Sequence, residues 1–160
     1  MQTYKLFLIG CLLASGCAMF GDNKKDDTTL RIFEQISSNL PDKMSRVVSI
    51  PKANLVVKVD RYPMLTERDV NSAEIFPTAG GAAIMLRLEM QGMWRLDEIT
   101  TRSRGRYLVT FLIERPVAVW WIEKRIPTGE FLLEGDFTEE EAKKAVESLN
   151  RQSKKRNAEW

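Results

Sequence analysis

The sequence contains no histidine. That absence excludes histidine-based nucleophilic triads, histidine-ligated zinc and the imidazole acid–base group that works near neutral pH. Cysteine is nearly as scarce, with 2 residues, Cys11 and Cys17, in a chain of 160. An excess of one charge is also missing: Lys+Arg 24 against Asp+Glu 22 leaves a formal +2, so no strong field points to nucleic acid as a partner. Gly80-Gly81 is not a phosphate loop, because the lysine and the serine or threonine of that motif are absent. The apolar run at the N-terminus, Leu6 to Leu13, falls far short of the roughly 20 residues that span a bilayer as a helix. What is present is a hydrophobic fraction of 44%, ordinary for a chain of one domain's length with a single core.

The N-terminus reads as an export signal. Lys5 precedes Leu6, Phe7, Leu8, Ile9, Cys11, Leu12 and Leu13, and the small residues Ala14, Ser15 and Gly16 follow, which is the three-part layout of a secretory peptide. The plain alternative is an ordinary signal peptide that happens to contain cysteines. Leu13-Ala14-Ser15-Gly16-Cys17 resembles the lipobox of bacterial lipoproteins, in which the cysteine is acylated and the peptide before it removed. Leu8-Ile9-Gly10-Cys11 fits the same pattern but leaves almost no hydrophobic region ahead of the cut. The resemblance therefore implies that residues 1–16 are a lipoprotein signal peptide and that Cys17 is the lipidation site. Cys11 then leaves with the signal, so no thiol pair remains for a disulfide.

Two or more acyl chains, at about 0.8 kcal/mol per buried CH₂, give stable anchoring. The expected location is the cell envelope, lipid-anchored and facing the periplasm. Ala18, where a retention aspartate is absent, favours the outer membrane over the inner. Residues 17–27 are polar and read as a tether. The ten residues from Ala18 to Asp27 reach at most about 35 Å.

In residues 28–61 we expect an N-terminal helix and strands. Leu30, Phe33, Ile36 and Leu40 recur at helical spacing before Pro41, predicting an amphipathic helix over Thr28–Asn39. Val47 to Ile50 and Leu55 to Val59 read as short β-branched strands around Pro51. Further on, Thr66-Glu67-Arg68-Asp69 suggests an N-cap and first helical turn. Ala73 to Phe76 and Ala82 to Leu88 suggest a hairpin, and Gln91 to Thr101 a helix. Arg106 to Ile113 and Val117 to Ile122 are the strongest strand signals, joined by Glu114-Arg115-Pro116, and Glu130 to Glu134 adds a last strand. Thr138 with Glu141 forms a capping box for a final helix buried through Ala142, Ala145, Val146 and Leu149. Residues 151–160 read as a frayed basic tail. The expected class is α+β, a two-layer domain with a mostly antiparallel sheet and helices packed on it, plus an N-terminal helix.

Both faces of the strongest strands are apolar. Val117, Val119 and Trp121 alternate with Ala118, Trp120 and Ile122, and Val109, Phe111 and Ile113 with Leu108 and Leu112. A two-layer domain covers one sheet face, so the other needs a second cover. The candidates are the N-terminal helix, a protein or client peptide, and a second copy of the chain. For a client, Trp94 and Trp120 with the flexible Met85, Met90 and Met93 are the candidate contacts.

Leu65-Thr66 with Asp69 and Ala73 is followed by Gly92, Leu96, Thr100 and Gly105-Arg106, then Leu108 and Val109, and finally Ile126, Gly129, Gly135, Phe137, Thr138 and Glu141-Ala142. In the order and spacing of these positions, residues 62–150 resemble the head subdomain of the first periplasmic domain of SecD/SecDF, membrane subunits that assist protein export. Glu114-Arg115 replaces the family's Asp-Gly turn. The family's multi-helix membrane region has no counterpart, so its proton-driven motor is not implied.

Isolated chemistry is weak. Glu139-Glu140-Glu141 suits the electropositive start of a helix better than a metal, and Asp97-Glu98 reads as surface charge. Arg102, Arg104 and Arg106 are candidates for an anion site or a solvated loop. Lys154, Lys155 and Arg156 are candidates for attraction to anionic lipid. The sequence points to a non-catalytic, lipid-anchored envelope protein without metal or cofactor that binds protein or peptide, with the resemblance suggesting protein export or envelope assembly. The alternative is a structural or dimerising lipoprotein with no client.

Overall fold

The computed structural model describes residues 27–37, 39, 41–78 and 81–159. The signal and lipidation readings at residues 1–26, and Leu40, lie outside these. Among the described residues the strands are β1 (Leu30–Glu34), β2 (Ser45–Ile50), β3 (Leu55–Asp60), β4 (Leu65–Thr66), β5 (Val70–Thr78), β6 (Gly81–Leu88), β7 (Tyr107–Leu112), β8 (Arg115–Trp121) and β9 (Glu130–Leu133), with helices α1 (Met90–Arg102) and α2 (Glu139–Ala158). They form a four-stranded sheet of order β4-β1-β7-β8, a β2-β3 hairpin and a three-stranded sheet of order β5-β6-β9, antiparallel at every pairing. The expected α+β class with mostly antiparallel sheets holds.

The expected helix over Thr28–Asn39 is instead strand β1. Leu30 and Ile32 enter the main core, whereas Phe33 enters a second core on the opposite face. The spacing of Leu30, Phe33 and Ile36 is therefore not one helical stripe but two faces of a strand. Pairing with β4 on one side and β7 on the other overrides a weak local preference.

That second core identifies the missing cover. Phe33, Val109 and Phe111 pack against Val48, Ile50, Val57 and Val59 of the β2-β3 hairpin. The Phe33 and Phe111 rings meet edge to face at 5.3 Å, and the Arg46 guanidinium lies 4.7 Å and 4.4 Å from their centroids. The chain thus covers its own sheet with the hairpin rather than with an N-terminal helix, a client or a second copy.

The main core lies among the four-stranded sheet, the three-stranded sheet and the two helices. It includes Ile84, Leu86, Leu96, Leu108, Ile122, Leu133 and Leu149. A bulge in β8, where Thr110 pairs with Ala118 but Phe111 with Pro116, turns the consecutive Val117 and Ala118 both into this core, as the extra residue of a bulge allows.

The tail is not frayed. α2 continues to Ala158, because its polar side chains reach back to the body: Ser153 Oγ donates to the Asn71 carbonyl at 2.6 Å and Arg156 Nη2 to the Val70 carbonyl at 2.6 Å. The loop between β7 and β8 is the pair Ile113-Glu114, with φ of 48° and 63°, and Arg115 and Pro116 already belong to β8.

Candidate functional site

The five side chains expected to meet a partner fall in three places. Met90 and Trp94 stand out from α1, 61% and 58% exposed, one helical turn apart. Met93 is half-buried against Gly129, where an added Cβ would lie 3.0 Å from its Cβ. Met85 lies on β6 between Glu74 and Leu132. Trp120 lies on β8, half-buried, edge to face with Phe131 at 5.7 Å. The α1 trio is one surface; Met85 and Trp120 approach another, through Leu132.

That surface is a cleft between β8 and β9, which are edges of separate sheets. One end is closed by the Asp136 N–H, which donates to the Val117 carbonyl at 2.6 Å. Gly135 makes the approach possible, since a Cβ there would lie 2.6 Å from the same oxygen. Beyond this point a cavity of about 220 Å³ opens beside Trp120, walled by Ala118, Val119, Phe131, Leu132 and Leu133. A second cavity of about 260 Å³ follows β8 toward the β2-β3 turn at Pro51–Ala53.

Backbone parity turns peptide groups of both edge strands outward. Ile122 N–H donates to the Arg106 carbonyl at 2.9 Å, and Trp120 and Ala118 face Leu108 and Thr110 in the same register. In an antiparallel ladder alternate residues bond to the neighbour and those between turn outward. Val119 therefore presents its N–H and C=O away from β7. By the same rule Leu88 N–H donating to the Gly129 carbonyl at 2.9 Å aligns Phe131 and Leu133 with β6, and the Leu132 peptide groups point outward. The sequence singles out Trp120 as a candidate but not Val119 and Leu132, whose contribution to the cleft is backbone direction. The signal for the hairpin cover was present in the alternation of Val48, Ile50, Val57 and Val59.

Several charged groups pair with one another away from this cleft. Two of the three candidate anion-binding arginines serve buried Glu34: Arg102 Nη2 lies 2.9 Å from its carboxylate and Arg106 Nη1 3.8 Å, while Ser103 Oγ donates to it. Arg125 pairs with Asp97 and, through that hydrogen bond first, holds its carboxyl below the usual range. Lys143 does the same to Glu139. Glu141 is held down chiefly by the Thr138 N–H in the capping box. Among the described residues no group of three or more Cys, Asp or Glu is placed to hold a metal ion.

The residues that carry the sequence likeness have folding tasks. Thr66 and Asp69 close a capping box, and Arg95 Nη1 reaches Asp69 at 2.7 Å. Thr100 Oγ1 donates to the Leu96 carbonyl at 2.7 Å and accepts from Ile126 N–H at 2.9 Å. Gly105 and Gly129 take φ of +77° and +69°. These residues lie within the span 43–152 that matches the family SecDF, P1 head subdomain. The chain belongs to that family.

Two solved structures share the SecDF head fold. A membrane component SecDF that enhances protein export matches with a TM-score of 0.60 and 17% identity, over 78% of this chain and 62% of that one. SecDF in its super-membrane-facing form matches with 0.59 and 18% identity, over 78% of this chain and 19% of that one. This chain therefore spans less than two thirds of either. No curated protein matches it. The matched head span includes the β2-β3 hairpin. No helix among the described residues is long and apolar enough to cross a membrane.

Proposed function

We propose that this SecDF head-family chain is a non-catalytic envelope protein, anchored by acylated Cys17 and facing the periplasm, that holds extended polypeptide during protein export. Residues 1–16 are its signal peptide, and Ala18 favours the outer membrane. The observation that carries the reading is the outward Val119 peptide group in a cleft beside Trp120. An extended segment added to a sheet edge gains main-chain hydrogen bonds that any sequence supplies, and flanking pockets select alternate side chains. Trp120 and Leu132 are the walls of such a pocket, with Met85 behind Leu132. Met90, Met93 and Trp94 on α1 form an additional apolar surface of adaptable shape.

The test is saturable binding of an unfolded, reduced polypeptide to the full chain. Trp120→Ala should weaken it about tenfold, as a central aromatic contact does. Because Trp120 also touches Phe131, Val119→Pro is the cleaner variant: it removes an outward N–H that the β7 ladder does not use. Binding lost with the unfolding midpoint retained supports strand addition. Absence of saturable binding would leave the structural or dimerising lipoprotein as the reading. Globomycin should make an uncleaved precursor accumulate if Cys17 is the acylation site.

A further inference from the structure

The place where the tether meets the folded body is held by polar side chains of α2. Asp27 pairs with Arg151 Nη2 at 2.8 Å, Thr28 N–H donates to Ser148 Oγ at 2.8 Å, and Gln152 Nε2 donates to the Thr28 carbonyl at 2.9 Å. The chain thus enters the fold across the C-terminal half of α2. Lys154 and Lys155 are exposed there, beside Arg151, with Glu147 on the same groove. Lys144 lines a small cavity with Thr28 and Ile113. Ile113 is the tip of the β7-β8 hairpin, 68% exposed, and its N–H donates to the Thr29 carbonyl at 3.0 Å. Its φ of 48° is a costly conformation for a β-branched residue, and strain of this kind concentrates where a side chain has work outside the fold.

We propose that this face, with Ile113 at its tip and Lys144, Lys154 and Lys155 around it, rests on anionic phospholipid headgroups. The inference rests on anchoring through Cys17. Ten tether residues reach at most about 35 Å, close to the diameter of a domain of this size, so the face carrying Asp27 is the one held nearest to lipid. Tethering raises the local concentration of the surface enough for weak contacts to count. Lysines near an anionic surface supply attraction, and an exposed isoleucine enters the boundary between headgroup and acyl chain.

The test uses the full chain, acylated in cells and reconstituted in phosphatidylglycerol or phosphatidylcholine vesicles, with a spin label at Ile113→Cys or, as control, at Val47→Cys on the exposed side of β2. The label at 113 should be shielded from a water-soluble relaxation agent on phosphatidylglycerol and not on phosphatidylcholine, while the label at 47 stays accessible on both. Shielding should disappear in K144Q/K154Q/K155Q. In an acyl-free chain of residues 17–160 carrying Cys17→Ser, affinity for phosphatidylglycerol vesicles should fall about fivefold for each lysine removed. Equal shielding on the two lipids, or none on either, would overturn the surface. A chain that floats with vesicles but leaves position 113 accessible loses this surface alone; one that does not float loses the anchor and the surface together.

Discussion

Gly92 shows at single-residue scale how the head holds its shape. A Cβ there would lie 2.9 Å from Asp69 Cβ and 3.0 Å from the Asp69 carbonyl oxygen, so α1 crosses the turn before β5 at a distance that glycine alone permits. Gly92→Ala should destabilise the fold by about 2 kcal/mol, in the range for overpacking, read as a lower urea midpoint. A second residue-scale expectation concerns acid. Asp27, held low by the hydrogen bond from Arg151, and Asp97, Glu139 and Glu141 all have carboxyl values below their ordinary 3.8 or 4.5. A folded value below the unfolded one confers stability above the unfolded value, and this is lost as pH falls. With no histidine to titrate, the urea midpoint should be level from about pH 8 to about pH 5 and decline below about pH 4.5. Glu141→Gln keeps the capping geometry and should flatten that decline. The capping box at Thr138 and Glu141 was legible in the sequence because its partners are three residues apart. The demand on Gly92 was not, because Asp69 is distant in the chain.

At the scale of elements, local periodicity succeeded where the run of alternation was long or a cap was present. The β5-β6 hairpin, α1, β7, β8 and the first half of α2 read correctly from alternation, turns and caps. β1 did not, since its few apolar residues, split between two cores, imitate helical spacing. The C-terminal half of α2 misled for another reason: its Arg and Lys residues suggested a solvated tail, yet Arg156 and Ser153 bind backbone carbonyls of β5. The Ile113-Glu114 turn has positive φ at both positions, where Asn-Gly is the favoured pair. Replacing it by Ile113→Asn with Glu114→Gly should raise stability by about 1 kcal/mol. In the acyl-free chain the same double variant should lose affinity for phosphatidylglycerol vesicles while its stability rises, separating the strain from its proposed use.

For the whole molecule, two cores share one sheet. The four-stranded sheet buries one face against β5-β6-β9 and the helices and the other against β2-β3, which accounts for strands apolar on both sides. The sequence argument that such strands need a further cover was sound, and the cover came from the same chain. What stays open on that sheet is an edge rather than a face: β8 and β9 stand side by side without joining, and the peptide groups of Val119 and Leu132 turn outward from β7 and β6. The most direct measurement is amide hydrogen exchange of the full chain with and without a saturating unfolded polypeptide. Exchange at Val119 and Leu132 should slow at least tenfold on binding while Gly92 and the β2-β3 amides stay unchanged. Polypeptide bound with no slowing at Val119 or Leu132 would contradict strand addition at this cleft.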